Sequence, residues 1–174
     1  MLLRDVQVGD VDAYVRMRCD PVMMAELGGP LPREGMADKV RRDAAEARSG
    51  TAWIKMIVPD GERPEAVAGS LALWRHKDHG EEIAEVGWMV LPEFQGRGIA
   101  KRATAMLLDQ ARGDDRWAEV HAFPGVTNAG SNGICRALGF RLLGVEEFVW
   151  AGRQLRTHHW VILPDKDLKI PPTG

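Results

Sequence analysis

Hydrophobic and polar residues alternate through "LLRDVQV" (residues 2–8), which predicts a first strand. The following "GDVDAYVRMRCD" (9–20) puts Val11, Tyr14, Val15 and Met17 or Arg18 at helical spacing. Pro and Gly break the pattern in "PVMMAELGGPLPREG" (21–35), after which "MADKVRRDAAEARSG" (36–50) predicts a polar, Ala-rich helix that stops at Gly50. "TAWIKMIVPDGERPEAVAGSLALWRH" (51–76) predicts two strands joined in a hairpin by a loop built on Pro59-Asp60-Gly61. "EEIAEVGWMV" (81–90) is a further strand ended by Pro92, and residues 98–111 predict a helix with a buried stripe of Ile99, Ala103, Met106, Leu107 and Ala111. "RWAEVHAF" (116–123) adds a short strand. Beyond a turn at Pro124-Gly125, Ile134 and Leu138 stand one turn apart on a short helix closed by Gly139. "RLLGVEEFVW" (141–150) and "RQLRTHHWVIL" (153–163) predict two last strands meeting at Ala151-Gly152, and the Pro-rich tail 164–174 is expected to fray.

The resulting order, β-α-α-β-β-β-α-β-α-β-β, with no internal repeat, linker or low-complexity tract, predicts one α+β domain over 1–174. Its sheet is mixed and mostly antiparallel, with about seven strands and four helices on its faces. At 174 residues such a domain buries a core that needs no staples. The net charge of −2 gives no global attraction to nucleic acid or anionic membranes. Cys19 and Cys135 lie far apart with no Cys-x-x-Cys pair or neighbouring His cluster, which argues against a disulfide framework or a zinc centre, so no metal is expected. The first residues lack the apolar region of a signal peptide and no stretch approaches a membrane span, which leads to a cytoplasmic expectation. His76 and His79 fall in a predicted loop, where histidines are usually solvated. His158 and His159 must point to opposite faces of their strand and so make no simple metal pair. The six tryptophans fall mostly in predicted strands, favouring sheet packing over base stacking.

Candidate chemistry gathers in "VLPEFQGRGIAKRA" (90–103). Gly96 and Gly98 allow close approach of the main chain to a ligand, and the first N–H groups of the helix that follows have no internal partners, which together make an anion cradle. Arg97, Lys101 and Arg102 crowd the positive end of the helix dipole, with no acid until Asp109. That placement becomes favourable once a polyanion docks. A nucleotide P-loop would need Gly before Lys-Ser/Thr, whereas Ala100 precedes Lys101 and no hydroxyl follows. A dinucleotide fingerprint would need Gly or Ala where Lys101 stands. The plain alternative is a Gly-rich turn with solvated basic side chains.

Gln95-Gly96-Arg97-Gly98-Ile99-Ala100 resembles the Arg/Gln-x-x-Gly-x-Gly/Ala motif of the GNAT superfamily of N-acetyltransferases, in the same place between fourth strand and third helix. Asn128-Ala129-Gly130-Ser131, Ile134 and Leu138-Gly139-Phe140 resemble the second motif of the branch that acetylates N-terminal amines of ribosomal proteins, as does the opening stretch from Leu3 to Gly29. The likeness runs from about residue 2 to 163. It implies a sheet splayed between strands 4 and 5, and acetyl-coenzyme A as the partner of the cradle. The diphosphate would lie on the N–H groups of residues 96 to 100, which include Ile99 and Ala100. The pantetheine arm would bond the main chain around Met89 and Val90. Arg97, Lys101 and Arg102 are assigned to phosphates without ranking, and Gln95 and Asn128 join the cofactor set.

The reaction so implied is acyl transfer from a thioester to an amine acceptor by direct attack in a ternary complex. An alkyl amine with a pKa of about 10.4 is mostly protonated at neutral pH, so a base must help. Glu85 resembles the family's general-base glutamate, against the plain reading of a solvated or paired strand carboxylate; Glu82 and His121 are substitutes. The tyrosine that many of these enzymes use to serve the leaving thiolate is replaced by Cys135, and the only tyrosine is Tyr14 in the first helix. Ser131 is the better hydroxyl donor, against a plain role in capping the helix with Asn128 as N-cap. Cys135 reads as core. A homodimer is compatible with the resemblance, which implies neither a nucleic acid nor a membrane partner. The alternative is a coenzyme A-binding sensor or partner module with the same fold and little catalysis.

Overall fold

The computed structural model describes residues 1–150 and 153–170. Its elements follow the predicted order: β1 (Leu2–Asp5), α1 (Val11–Arg18), α2 (Met36–Ser49), β2 (Trp53–Val58), β3 (Gly69–Asp78), β4 (Glu81–Val90), α3 (Ile99–Gln110), β5 (Val120–Ala122), α4 (Ala129–Leu138), β6 (Arg141–Trp150) and β7 (Arg153–Ile162), with one addition, α5 (Pro164–Asp167). The strands form a seven-stranded sheet in the order β1-β2-β3-β4-β5-β7-β6. The pairs β1–β2, β2–β3, β5–β7 and β6–β7 are antiparallel, and β4–β5 is parallel. This is the mixed, mostly antiparallel α+β architecture the hydrophobic pattern predicts. The predicted Ala151-Gly152 turn lies outside the described residues.

Residues group into two compact units, 1–74 with 88–100, and 75–87 with 101–174. In the first, α1 and α2 lay one apolar face each toward the sheet. Tyr14, Met17, Val40, Met36 and Ala44 are buried with Ile54 and Met56 of β2 and with Met89 and Leu91. The Tyr14 hydroxyl donates to Asp43 Oδ2 at 2.8 Å inside that core, and burial followed by the Asp43 charge pushes the phenol upward. The chain's only tyrosine is therefore a core brace.

In the second unit β3 and β4 are joined by the two residues His79-Gly80, both at positive φ (45° and 91°), the requirement of a tight hairpin turn. The loop predicted to hold His76 and His79 shrinks accordingly. His76 and Asp78 belong to β3, because the alternation of the strand continues through "LWRHKD" to the turn. β4 and β5 pair in parallel at Ala84↔Val120 and Glu85↔His121. α3 contributes buried Ala103, Leu107 and Leu108, followed by buried Ala111, and α4 contributes buried Cys135 and Leu138.

The first residues of the stretch 164–174 make specific contacts. Arg112 Nε donates to the Pro164 carbonyl at 3.1 Å, Gly113 N–H to Asp165 Oδ1 at 3.1 Å, and Lys169 N–H to the Leu138 carbonyl at 3.0 Å. Leu168 is buried. Pro at the first turn starts the short helix, and residues 171–174 lie outside the described ones. No helix among the described residues is long and apolar enough to cross a membrane.

Candidate active site

A single 3₁₀ turn, Pro92–Phe94, carries the chain from β4 toward α3. Gly96 (φ 72°) and Gly98 (φ 68°) then take left-handed conformations that cost other residues strain, and the helix opens at Ile99. Its first turn holds no acid. Gln95, Gly96, Arg97 and Gly98 are exposed, Ile99 is buried, Ala100 and Lys101 are half-buried and Arg102 is exposed. The Arg97 guanidinium lies 5.8 Å from the Phe94 ring centroid. Gln95 has a bracing task that its place in the motif does not announce: its Nε2 donates to the Val90 carbonyl at 2.8 Å. Met89 and Val90 themselves are buried, and the Leu91 N–H donates to the Ala68 carbonyl at 2.9 Å.

In the second unit a set of titratable side chains shares one face of the sheet. Glu85 and His121 are partners in the parallel ladder, so their side chains leave the sheet on the same side. Glu85 is half-buried with its side chain 21% exposed, and its Oε2 lies 2.8 Å from His76 Nε2. Burial pushes the Glu85 carboxyl above its ordinary value, the nearby Asp78 charge adds to that, and the His76 contact pulls against both. Glu85 is thus a partly desolvated carboxylate with an imidazole beside it, the environment in which a carboxylate gains basicity. The two substitutes differ from it. Glu82 is exposed and paired with Arg75 at 2.8 Å. His121 is buried, with Nδ1 2.7 Å from His159 Nε2 and Nε2 3.2 Å from Glu119 Oε1. Burial, then the charge of His159, pushes His121 below its ordinary value. His159 in turn meets Glu146 through Nδ1.

At the start of α4, Asn128 is the N-cap, its Oδ1 accepting from the Ser131 N–H at 2.9 Å. The cap employs the main chain of Ser131 and leaves its hydroxyl out of that bond. Asn132, which no sequence motif singles out, is the organiser here. Its Nδ2 donates to the carbonyls of Gly125 and Asn128, and its Oδ1 accepts from Trp160 Nε1 at 2.9 Å and meets His158 Nδ1 at 2.8 Å. Cys135 is fully buried, and burial pushes its thiol up to about 12.

His158 and His159 turn to opposite faces, one to Asn132 and one to His121 and Glu146. Asp78, His79 and Glu146 bring one ligand atom each within 4.8 Å of one another, a grouping formed by the tight β3–β4 turn and absent from the sequence expectation. The His79 side chain is 87% exposed, and nothing beyond the grouping marks it as a cation site. A cleft of about 300 Å³ in this unit is lined by Glu81, Glu82, Asp115 and Glu119 together with Arg75, Arg116 and His121.

A model of the acetyltransferase (GNAT) domain matches residues 1–141. Among solved structures, a GNAT-family acetyltransferase from Bacillus anthracis is 19% identical over 95% of this chain and 95% of that one, with a TM-score of 0.78. The ribosomal-protein-S5-alanine acetyltransferase from Vibrio fischeri is 16% identical over 96% and 94%, with a TM-score of 0.75. The RimJ protein of Mycobacterium smegmatis, solved in complex with a coenzyme A disulfide, is 23% identical over 92% and 80%, with a TM-score of 0.74. At these identities the likeness is one of fold.

Proposed function

Because the chain belongs to the GNAT acetyltransferase family, whose domain it matches over residues 1–141, we propose that it moves an acetyl group from acetyl-coenzyme A directly to a primary amine in a ternary complex. The acceptor is a protein N-terminus, as in the branch that modifies ribosomal proteins, or a small-molecule amine. The observation that carries this reading is the left-handed pair Gly96 and Gly98, which turns the chain into a helix whose first turn holds bases and no acid. Unsatisfied N–H groups at such a helix start suit a diphosphate. Arg97, Lys101 and Arg102 supply the positive charge that three phosphates require, and Met89, Val90, Gln95 and Asn128 complete the donor-binding set. Val90 is held in place by Gln95, whose Nε2 donates to its carbonyl.

Glu85 takes the proton of the attacking amine. Its raised basicity follows from burial, and proton transfer by a positioned carboxylate contributes roughly 10²–10⁴-fold to a rate. Ser131 donates a hydrogen bond to the departing sulfur. Cys135 is a poor acid for that task, because a thiol pushed up to about 12 does not give its proton to a thiolate whose own pKa is about 8.5. The acid-rich cleft beside His121 supports an acceptor that carries positive charge. Two free cysteines and no disulfide among the described residues suit a reducing, cytoplasmic setting.

The test is incubation with acetyl-coenzyme A and a panel of peptides with free N-termini, polyamines and aminoglycosides, with release of free thiol as the signal and melting temperature as a second readout. A ligand that binds only the folded state at ~100 times its dissociation constant adds about 2.7 kcal/mol, and Gly98→Asp should abolish that shift. A melting curve unmoved by millimolar acetyl-coenzyme A overturns the reading. A shift without thiol release across the panel turns it into a coenzyme A-binding sensor or partner module.

A further inference from the structure

Four side chains form one line from the residue before β5, across β7, to β6. Glu119 Oε1 lies 3.2 Å from His121 Nε2, His121 Nδ1 lies 2.7 Å from His159 Nε2, and His159 Nδ1 meets Glu146 Oε1. A carboxylate only accepts, so the Glu119 contact calls for a hydrogen on His121 Nε2 and the Glu146 contact for one on His159 Nδ1. Two neutral rings would then set two bare nitrogens against each other at 2.7 Å. The line is satisfied only with a third proton between them, so that the two rings carry one positive charge between two carboxylates. Burial and the charge of His159, which push His121 downward, act against a fourth.

We propose that this shared proton is a switch on the acid-rich cleft: while it is held, Glu119 stays drawn against His121, and its loss frees Glu119 for a cationic acceptor. The inference rests on that cleft being the acceptor's. The proton balance is a single step. The charged pair gives one proton from His121 Nε2 to water, and both carboxylates stay ionised. The two remaining hydrogens lie on His159 Nδ1, toward Glu146, and on His121 Nδ1, which donates to His159 Nε2. His121 Nε2 is then a bare lone pair facing Glu119 Oε1, and two acceptors at 3.2 Å repel. The line parts there and not at Glu146, because the Glu119 side chain is 56% exposed against 31% and exchanges the ring for water at less cost. Glu119 and His121 both line the cleft, so the step makes the cleft more negative by one charge. The pair is also faced by Asp78 of β3, whose charge favours the held proton, and by Glu85, the ladder partner of His121. At the cleft wall Arg75 and Arg116 hold Glu82 and Asp114 at 2.8 Å and 2.6 Å, and Glu81 and Asp115 complete the charged lining.

Two measurements test it, and neither needs turnover. Long-range nitrogen–proton correlation spectra of the unliganded protein, titrated from about pH 6 to about pH 8.5, should show His121 and His159 changing in one common step. His121 Nε2 should be the nitrogen that loses its hydrogen, while His159 Nδ1 keeps its own. Neutral rings in which His121 retains the hydrogen on Nε2, or two rings that titrate independently, overturn the switch. Butane-1,4-diamine, an alkyl diamine protonated throughout that range, is the probe for the cleft. Its dissociation constant, read from the same ring resonances, should fall about 5-fold across the step, the size of one exposed ion pair, and should not depend on pH in Glu119→Gln. A wild-type affinity that does not change, or one that changes equally in Glu119→Gln, overturns the release of Glu119. A working switch in a protein that transfers acetyl to no amine overturns the catalytic reading instead, so the two failures are distinct.

Discussion

Nδ1 of His121 lies 2.7 Å from Nε2 of His159, and the two rings, 5.0 Å apart between centroids, stand between Glu119 and Glu146. Both rings cannot carry full positive charge at that separation without strong repulsion, and His121 is the more buried. Its folded pKa therefore falls below the ordinary 6.5, with Glu119 and Asp78 pulling the other way. A depressed value means that the unfolded chain binds the proton more readily. The stability so contributed is present above 6.5 and is lost as pH falls through the folded value. Denaturant midpoints measured from about pH 7.5 to about pH 5 should fall in the wild type, and His121→Gln should flatten that fall. Parallel curves would show that protonation of His121 is not linked to folding.

Glu85 has the opposite sign. Burial raises its carboxyl above 4.5, so the folded state holds the proton more tightly and the contribution to stability is full below 4.5 and lost as pH rises through the folded value. Glu85→Gln removes that penalty. Its denaturant midpoint should overtake the wild type as pH is raised from 4.5 to about 8, while its turnover at neutral pH drops by roughly 10²–10⁴-fold with partial recovery at high pH. A midpoint difference that does not change with pH would mean that His76 fully compensates the burial.

The order of elements was legible because each one carries its own period: two in β2 and β4, about 3.6 in α1 and α3, with Pro92 and Gly139 as punctuation. The Gly96–Gly98 loop was legible because glycine spacing before a helix reports backbone conformation directly. The contact of His76 with Glu85 was not, since it depends on how far β3 continues. That length is set by a two-residue turn in which a histidine takes a positive φ, a conformation that few residues other than glycine adopt. Asn132 and His159 were hidden for a related reason. Their roles arise from the pairing of β5 with β7 and the docking of α4, long-range relations that leave no local trace. The docking of the tail was equally hidden, because a composition rich in proline, at Pro164, Pro171 and Pro172, does not report the acceptors that Arg112 and Gly113 find in Pro164–Leu168.

Gly139 is where that tail docking becomes measurable. It sits at φ 96° as the C-cap of α4, and a Cβ there would collide with the Asp167 carbonyl oxygen. Gly139→Ala should lose on the order of 1–3 kcal/mol from the backbone alone, read by denaturant unfolding. Deleting residues 164–174 should itself lower stability, through loss of buried Leu168 and of the Lys169 bond to Leu138. If the deletion leaves the midpoint unchanged, the tail contributes nothing and the strain at residue 139 would stand alone.

The group that serves the leaving thiolate is separable by two substitutions that act on different quantities. Ser131→Ala removes a hydroxyl whose main-chain N–H, not its side chain, makes the cap with Asn128, so the helix start keeps that bond. Cys135→Ala empties a small volume in a fully buried position and removes a thiol pushed up to about 12. If Ser131 donates to the developing thiolate, its loss should lower kcat by on the order of 10²-fold with little change in the denaturant midpoint, the size expected when one transition-state donor is lost. Cys135→Ala should keep most of its activity and lose stability through the cavity it leaves. The reverse result, an inactive but stable Cys135→Ala beside a near-normal Ser131→Ala, would assign the thiolate to the cysteine despite its high pKa. Thiol release by each variant at saturating acetyl-coenzyme A, set beside its unfolding curve, decides between them, because a structural role moves the midpoint and a donor role moves kcat.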